Sequence, residues 1–165
     1  MILVREISAD DWELMREVRL AALSEAPYAF ASTYAREAAF TEERWRGRVN
    51  KRSATFFAYA DPATAAIPDG RPAGVAGVYV ELEDADLVSM WVRPSARGTG
   101  VGEALVAATV GWARANNYPT LSLWVTENNP QARRLYQRCG FTATGEQQPL
   151  PSNTALQEIR MRRPL

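Results

Sequence analysis

The stretch richest in chemistry is Met90-Trp91-Val92-Arg93-Pro94-Ser95-Ala96-Arg97-Gly98-Thr99-Gly100-Val101-Gly102. An apolar strand runs into a basic, glycine-rich turn, and glycines let backbone N–H groups come close to a ligand. A helix opening at the end of that turn adds partial positive charge, so the site suits a phosphate. Two nucleotide motifs fail against it. A P-loop ends in Gly-Lys-Ser/Thr, whereas Gly102 is followed by Glu103 and Ala104. The dinucleotide fingerprint is met at Gly98 and Gly100, but Glu103 stands at its third glycine.

A second candidate is the segment Asn129 to Phe141. Asn129-Pro130 reads as a helix start, with Asn as cap and Pro at the first helical position. Ala132, Leu135, Tyr136 and Cys139 then share one face, and Gly140 ends the helix as a left-handed cap. Tyr136 on that face is either core packing or a proton donor. Cys139, one turn on, reads as core rather than nucleophile. The chain has no histidine and one cysteine, which excludes Ser-His-Asp and Cys-His catalysis and an internal disulfide, and nearly excludes zinc. No metal is expected.

The elements that must position these residues belong to one domain. At 165 residues the chain can bury a real core, and residues 1–165 are read as a single unit. Lys plus Arg and Asp plus Glu are 19 each, so the bulk basic field of a nucleic-acid binder is absent. No apolar run approaches the roughly 18 residues that span a bilayer. Arg5 and Glu6 argue against a signal peptide in Met1 to Ile7, so a cytoplasmic protein without membrane or nucleic-acid partners is expected.

The pattern predicts a strand over Ile2–Ile7, a helix capped by Ser8 to about Leu23, and an irregular aromatic stretch from Glu25 to Phe40. Thr41 caps a second helix to Val49. Strands come next over Ala54–Ala60, Ala73–Leu82 and Asp86–Val92, the last two joined by a tight Glu83-Asp84-Ala85 connection. Asp61 to Pro72 reads as a surface loop. A helix over Gly100–Asn116, a strand over Leu121–Val125 and a last pair over Phe141–Gly145 and Ala155–Met161 complete the chain. Gln147–Asn153, with Pro149 and Pro151, reads as a loop between that pair. The class is α+β, a mixed sheet with helices on its faces.

Arg97-x-x-Gly100-x-Gly102 resembles the pyrophosphate motif Q/R-x-x-G-x-G/A of the GNAT acetyltransferase superfamily. Asn129-x-x-Ala132-x-x-Leu135-Tyr136-x-x-x-Gly140-Phe141 resembles the other signature of that superfamily, with six fixed positions in agreement. The resemblance covers Asp86 to Phe141. It implies a mixed sheet of about seven strands flanked by about four helices, with the fourth and fifth strands splayed. Acetyl-coenzyme A would lie in that gap. Met90, Trp91 and Val92 would pair with its pantetheine arm as an added strand. Arg97, Gly98, Thr99, Gly100, Val101 and Gly102 would hold the pyrophosphate, and Asn129 would contact the pantetheine.

The resemblance also implies roles. Tyr136 matches the family's usual general acid, which protonates the leaving thiolate. Some members use a base eleven residues before the Q/R position, which is Asp86 here. Others use a glutamate on the fifth strand, where this chain has Trp124. Glu81, Glu83 or a water are the remaining candidates for the base. The acceptor amine would lie over Tyr28, Phe30 and Tyr34, beneath the Gln147–Asn153 loop, although these aromatics equally complete a core. The implied activity is direct acetyl transfer to a primary amine of a small molecule or peptide. A catalytically silent acyl-coenzyme A-binding module is the alternative, and a homodimer is left open.

Overall fold

The computed structural model describes residues 1–61 and 70–165. Most of the expected Asp61–Pro72 loop, residues 62–69, lies outside the described residues. The chain runs through β1 (Leu3–Glu6), α1 (Trp12–Glu25), α2 (Tyr34–Ala38), α3 (Glu42–Gly47), β2 (Ser53–Tyr59), β3 (Gly74–Glu81) and β4 (Asp84–Val92). It continues through α4 (Val101–Ala115), β5 (Thr120–Thr126), α5 (Pro130–Arg138), β6 (Thr142–Leu150) and β7 (Asn153–Pro164). Short 3-10 turns lie at Ala9–Asp11, Pro27–Ala29 and Pro94–Ala96.

The strands form one sheet in the order β1-β2-β3-β4-β5-β7-β6. Every neighbouring pair is antiparallel except β4 and β5. That parallel pair needs a crossover, and α4 supplies it. Alternation along the strands sends side chains to two faces. On one face Phe56 packs with Val101 and Leu105 of α4, while Leu87, Leu123, Val125 and Met161 pack with Val106, Val110 and Tyr136. On the other face Phe57, Val75 and Trp91 meet Met15, Val18 and Leu23 of α1 and Trp45 of α3. The half of this second face on β5 and β7 is polar, for the register sets Ser122 beside Arg162, Trp124 beside Arg160 and Thr126 beside Glu158.

Local signals explain most element ends. Ser8 and Asp11 form a capping box, Ser8 Oγ accepting from Asp10 N and Asp11 Oδ2 from Ser8 N. Thr41 caps α3 through Arg44 N at 3.3 Å. Past α5, Phe141 N donates to Tyr136 O at 3.0 Å and Gly140 N to Gln137 O at 3.1 Å. This is the Schellman pattern, and it needs the positive φ of 89° that Gly140 adopts. Its accompanying apolar contact is the edge-on packing of Phe141 against the Tyr136 ring, with centroids 6.0 Å apart.

Three expectations are corrected. Asp84 and Ala85 belong to β4, and the tight turn is Leu82-Glu83, with Leu82 at φ 56°. The Glu25–Phe40 stretch contains α2, capped by Thr33 through Arg36 N. The Gln147–Asn153 loop is instead mostly strand. Gln147, Gln148 and Pro149 pair with Ile159, Glu158 and Gln157, which leaves Pro151 and Ser152 as the turn. Pro149 fits because β6 is an edge strand, where a missing N–H need not break a ladder.

A buried ion network anchors the helical layer. Glu37 of α2 is 1% exposed. It accepts from Arg19 Nε and Nη2 at 3.0–3.2 and 2.9 Å and from Arg48 Nη1 at 2.6 Å. Burial alone would raise its pKa, but the hydrogen bonds and charges of Arg19 and Arg48 win and hold it at about 2, below the ordinary 4.5. A depressed carboxylate stabilises the fold above its unfolded pKa and loses that contribution as pH falls through its folded one. Acid titration monitored by urea unfolding should therefore show a loss on the order of 3 kcal/mol from this group between about pH 4.5 and pH 2. Glu37→Gln should remove that component of the pH dependence.

Candidate active site

The site is made by the way β4 leaves β5. Their pairing is confined to Ala85–Leu121 and Asp86–Ser122. Beyond it β4 carries a bulge: Val88 pairs with Gly77 and Trp91 with Val75, so Ser89 and Met90 oppose Ala76 alone. Ser89, the first of the two, takes the left-handed conformation at φ 58°, one of the ways a strand absorbs an extra residue. A one-residue insertion also reverses the facing of every residue beyond it on the strand. Leu87 points to the α4–α5 core, whereas Trp91, four residues on, packs with α1. There its indole Nε1 donates to Glu25 Oε2 at 2.8 Å.

The divergence opens a cavity of about 560 Å³. One wall is Leu87–Val92 and the other Trp124–Thr126, with the glycine turn and α5 at its ends. Of the residues expected to bind the cofactor, Met90, Trp91, Val92, Arg97, Gly98, Gly102, Asn129 and Tyr136 line it, while Thr99, Gly100 and Val101 do not. Thr99 Oγ1 closes the turn onto Ala96 O at 2.6 Å, and Val101 is core. Gly98 and Gly100 have φ of 77° and 91°, so the turn would strain any larger residue. Gly102 lets α4 meet α5, since a Cβ there would lie 2.9 Å from Leu135 Cδ2. The Arg97 guanidinium reaches Val92 O at 3.0 Å and Glu25 Oε2 at 2.7 Å.

Tyr136 is 5% exposed and lines this cavity. Burial, with Cys139 adding to it, pushes its phenol well above the usual range, so the hydroxyl stays protonated. Asn129 Oδ1 caps α5 by accepting from Ala132 N at 3.3 Å. Cys139 is half-buried, its thiol is pushed up by burial, and it lines neither this cavity nor the next.

A second cavity, about 510 Å³, lies on the α1 side over β2, β3 and β4, with Trp124 of β5 and Glu158 of β7 reaching it from the polar half. It shares Ala29, Phe30, Leu87, Val88, Ser89 and Trp124 with the first, so the two meet where β4 and β5 part. Phe30 is fixed between them: its carbonyl accepts from Ser152 Oγ at the β6–β7 turn, and the Arg19 guanidinium lies 4.7 Å over its ring. Asp86 lines the second cavity in a fork from Arg160, whose Nη1 and Nη2 donate at 2.6 and 2.9 Å. Arg160 also stacks 5.1 Å over the Trp124 ring.

Other sequence-predicted residues scatter. Tyr28 lines the first cavity, Tyr34 is exposed and lines neither, and Glu81 and Glu83 sit at the β3–β4 turn, away from both. Sequence reasoning missed Glu158, a buried carboxylate on β7 that lines the second cavity. Its only signal was the alternation in Glu158-Ile159-Arg160-Met161-Arg162, which does not say which face is a cavity. Among the described residues no group of three His, Cys, Asp or Glu could hold a metal ion, and no helix is long and apolar enough to cross a membrane.

The model of the acetyltransferase (GNAT) family matches residues 13–141, most of the chain. This chain belongs to the GNAT acetyltransferase family. A GCN5-related N-acetyltransferase from Kribbella flavida superposes with a TM-score of 0.75 at 26% identity, covering 99% of this chain and 98% of that one. The ribosomal-protein-S18-alanine N-acetyltransferase of Escherichia coli shares the fold, with a TM-score of 0.69 at 20% identity, covering 99% and 94%. A mycothiol acetyltransferase of Beutenbergia cavernae is 34% identical over 77 residues, 45% of this chain and 26% of that protein. In such curated relatives the matched region is about half of their length or less.

The first cavity of this GNAT domain fits a coenzyme A arm on its own geometry. The β4 edge has no β5 partner past Asp86, so its peptide groups can pair with an amide-bearing chain. The Gly98–Gly100 turn meets the start of α4 without a side-chain cap, which leaves backbone donors for a diphosphate. Coenzyme A should therefore raise the unfolding temperature; at a hundredfold excess over Kd the stabilisation is about 2.7 kcal/mol. Gly98→Asp puts a carboxylate beside the diphosphate site where no atom lies within 4 Å of the new Cβ. The positive φ costs that variant about 1 kcal/mol, so it should still fold, somewhat less stable, and lose the shift. A normal shift would remove the turn from the binding site.

Proposed function

We propose that the chain transfers an acetyl group from acetyl-coenzyme A to a primary amine, of a small molecule or a peptide, by direct attack in a ternary complex. The observation that carries this reading is the meeting of two cavities at the β4–β5 divergence, with Phe30, Val88 and Trp124 common to both. A thioester on one side and an amine on the other can approach there without a covalent enzyme intermediate. Cys139 lies outside both cavities, so no thiol is at hand to carry the acetyl group.

In this reading backbone groups of Met90 to Val92 orient the pantetheine, and the turn from Arg97 to Gly102 holds the diphosphate. Thr99, Gly100 and Val101 contribute through the shape of the turn. Tyr136 is the general acid, because burial keeps its phenol protonated until a thiolate leaves beside it. The acceptor's proton goes to the acceptor side, where Asp86 and Glu158 are the carboxylates that line the cavity. The E. coli relative is named for acetylating an alanine of a ribosomal protein and the B. cavernae relative for mycothiol, so both peptide and small-molecule amines belong in the acceptor panel.

A thiol-release assay with acetyl-coenzyme A and a panel of unblocked peptides, polyamines and amino sugars tests the activity. Initial-rate plots should intersect. Parallel lines together with a trapped acetyl-enzyme would rule out direct transfer. Tyr136→Phe keeps the ring and its packing on Phe141 but loses the proton. Its turnover should fall by roughly ten- to a thousandfold, with the coenzyme A thermal shift unchanged. Full activity in that variant would leave Tyr136 as packing only.

A further inference from the structure

We infer that Glu158, on β7, is the group that takes the proton from the acceptor ammonium, with Asp86 acting only to position Arg160. This role rests on the acetyl-transfer reading. Glu158 is 6% exposed yet lines the acceptor cavity. Its Oε1 accepts from Gln148 Nε2 at 2.7 Å, and Oε2 accepts no hydrogen bond from the described residues. The β5–β7 register sets Glu158 beside Thr126, one step along the same sheet face from the Trp124–Arg160 pair. Trp124 is part of the wall common to both cavities, so an amine held by Glu158 stands next to the point where the cavities join.

Asp86 is poorly suited to the task. Both its oxygens accept from the one Arg160 guanidinium, and taking a proton would remove the negative charge that this bidentate ion pair rests on. Glu158 differs in its surroundings. Burial raises its pKa, against the smaller opposing effects of the Gln148 hydrogen bond and the Arg160 charge. A carboxylate raised toward the working pH is a better proton acceptor. The other charged groups around the cavity are Asp86 from β4, Arg19 from α1 and Arg48 after α3, with the phenol of Tyr79 from β3. Arg19 and Arg48 are already committed to Glu37. Arg160 is forked to Asp86 and acts on Glu158 only through its charge, which leaves Glu158 as the carboxylate of the cavity that forms no ion pair with the described residues and can draw a cation.

The protons balance. An ammonium proton passes to Glu158 Oε2 and on to solvent, which frees the nitrogen lone pair. That pair forms the C–N bond to the thioester carbon, and the C–S pair leaves as thiolate. Tyr136 gives its phenolic proton to the sulfur, and the second proton lost by the nitrogen restores it. The products are the amide, coenzyme A and one released proton.

The test is a pH–rate profile on the best acceptor of the panel for the wild type, Glu158→Gln and Asp86→Asn. Glu158→Gln should lower kcat/KM by on the order of a hundredfold near neutral pH. The deficit should shrink as pH rises and free amine becomes abundant, and the acetyl-coenzyme A thermal shift should stay. Asp86→Asn should lower activity by a similar factor at every pH. Gln148→Leu removes the hydrogen bond that holds the Glu158 pKa down, so the acid limb of the profile should move to higher pH while the plateau holds. This variant serves if Glu158→Gln fails to fold. A Glu158→Gln profile parallel to the wild type, an unmoved acid limb in Gln148→Leu, or the pH-dependent deficit in Asp86→Asn would overturn the assignment. A wild type that binds acetyl-coenzyme A but releases no thiol with any amine would overturn the transfer reading itself, and the assignment with it.

Discussion

Everything at the site depends on one backbone irregularity, the extra residue that β4 carries at Ser89–Met90. A strand that kept its register would continue its ladder with β5 and close the sheet. The bulge instead bends and twists β4 away after two paired residues. The same insertion turns Trp91 from the α4 side to the α1 side, where Glu25 receives its indole proton. Glu25 also receives Arg97, so one carboxylate at the end of α1 ties the diverging strand to the glycine turn. Burial works against that carboxylate's charge, but Arg97 and Trp91 keep its pKa below the ordinary value. The gap is thus held open by side chains of the element that packs over it.

The second constraint is electrostatic. The α1 face of β5 and β7 has Ser122, Thr126, Glu158, Arg160 and Arg162 where the opposite face has Leu121, Leu123, Val125, Ile159 and Met161. An apolar face must be covered, and α4 and α5 cover it. A polar face can stay open to a ligand, and α1 to α3 cover only the other half of the sheet. Polarity alone would give a loosely solvated surface; here it is fixed by pairing. Arg160 spans Asp86 and the Trp124 ring, Arg162 Nε donates to Ser122 Oγ at 3.1 Å, and Gln148 holds Glu158. Such a network presents charge at set positions with little reorganisation, which is what a transfer between two bound molecules requires.

Rigidity is distributed to match. The Glu37 network ties α1, α2 and the end of α3 into one layer that carries Phe30 on its edge. The β6–β7 turn reaches across to the same residue through Ser152. Phe30 is therefore placed both by Arg19 of its own layer and by Ser152, 122 residues further along the chain, and it lines both cavities.

The sequence by itself determined whatever depends on neighbours along the chain. Ser8, Thr41, Asn129-Pro130 and Gly140 mark helix ends because caps act within four residues. The spacing of Arg97, Gly100 and Gly102 and of Asn129 to Phe141 carried the family, because a tight turn and a helix face both impose fixed intervals. Absence of histidine removed whole classes of catalysis. Features that depended on register could be decided only by the tertiary structure. Leu87-Val88-Ser89-Met90-Trp91-Val92 is apolar almost throughout, so no alternation marks the bulge. Pro149 reads as a loop until an edge position makes it harmless in a strand. Asp86 meets Arg160 across 74 residues, and Glu158 becomes a cavity wall only when β7 slots between β5 and β6. Contacts of that kind are fixed by sheet order and facing, which no local run of residues encodes.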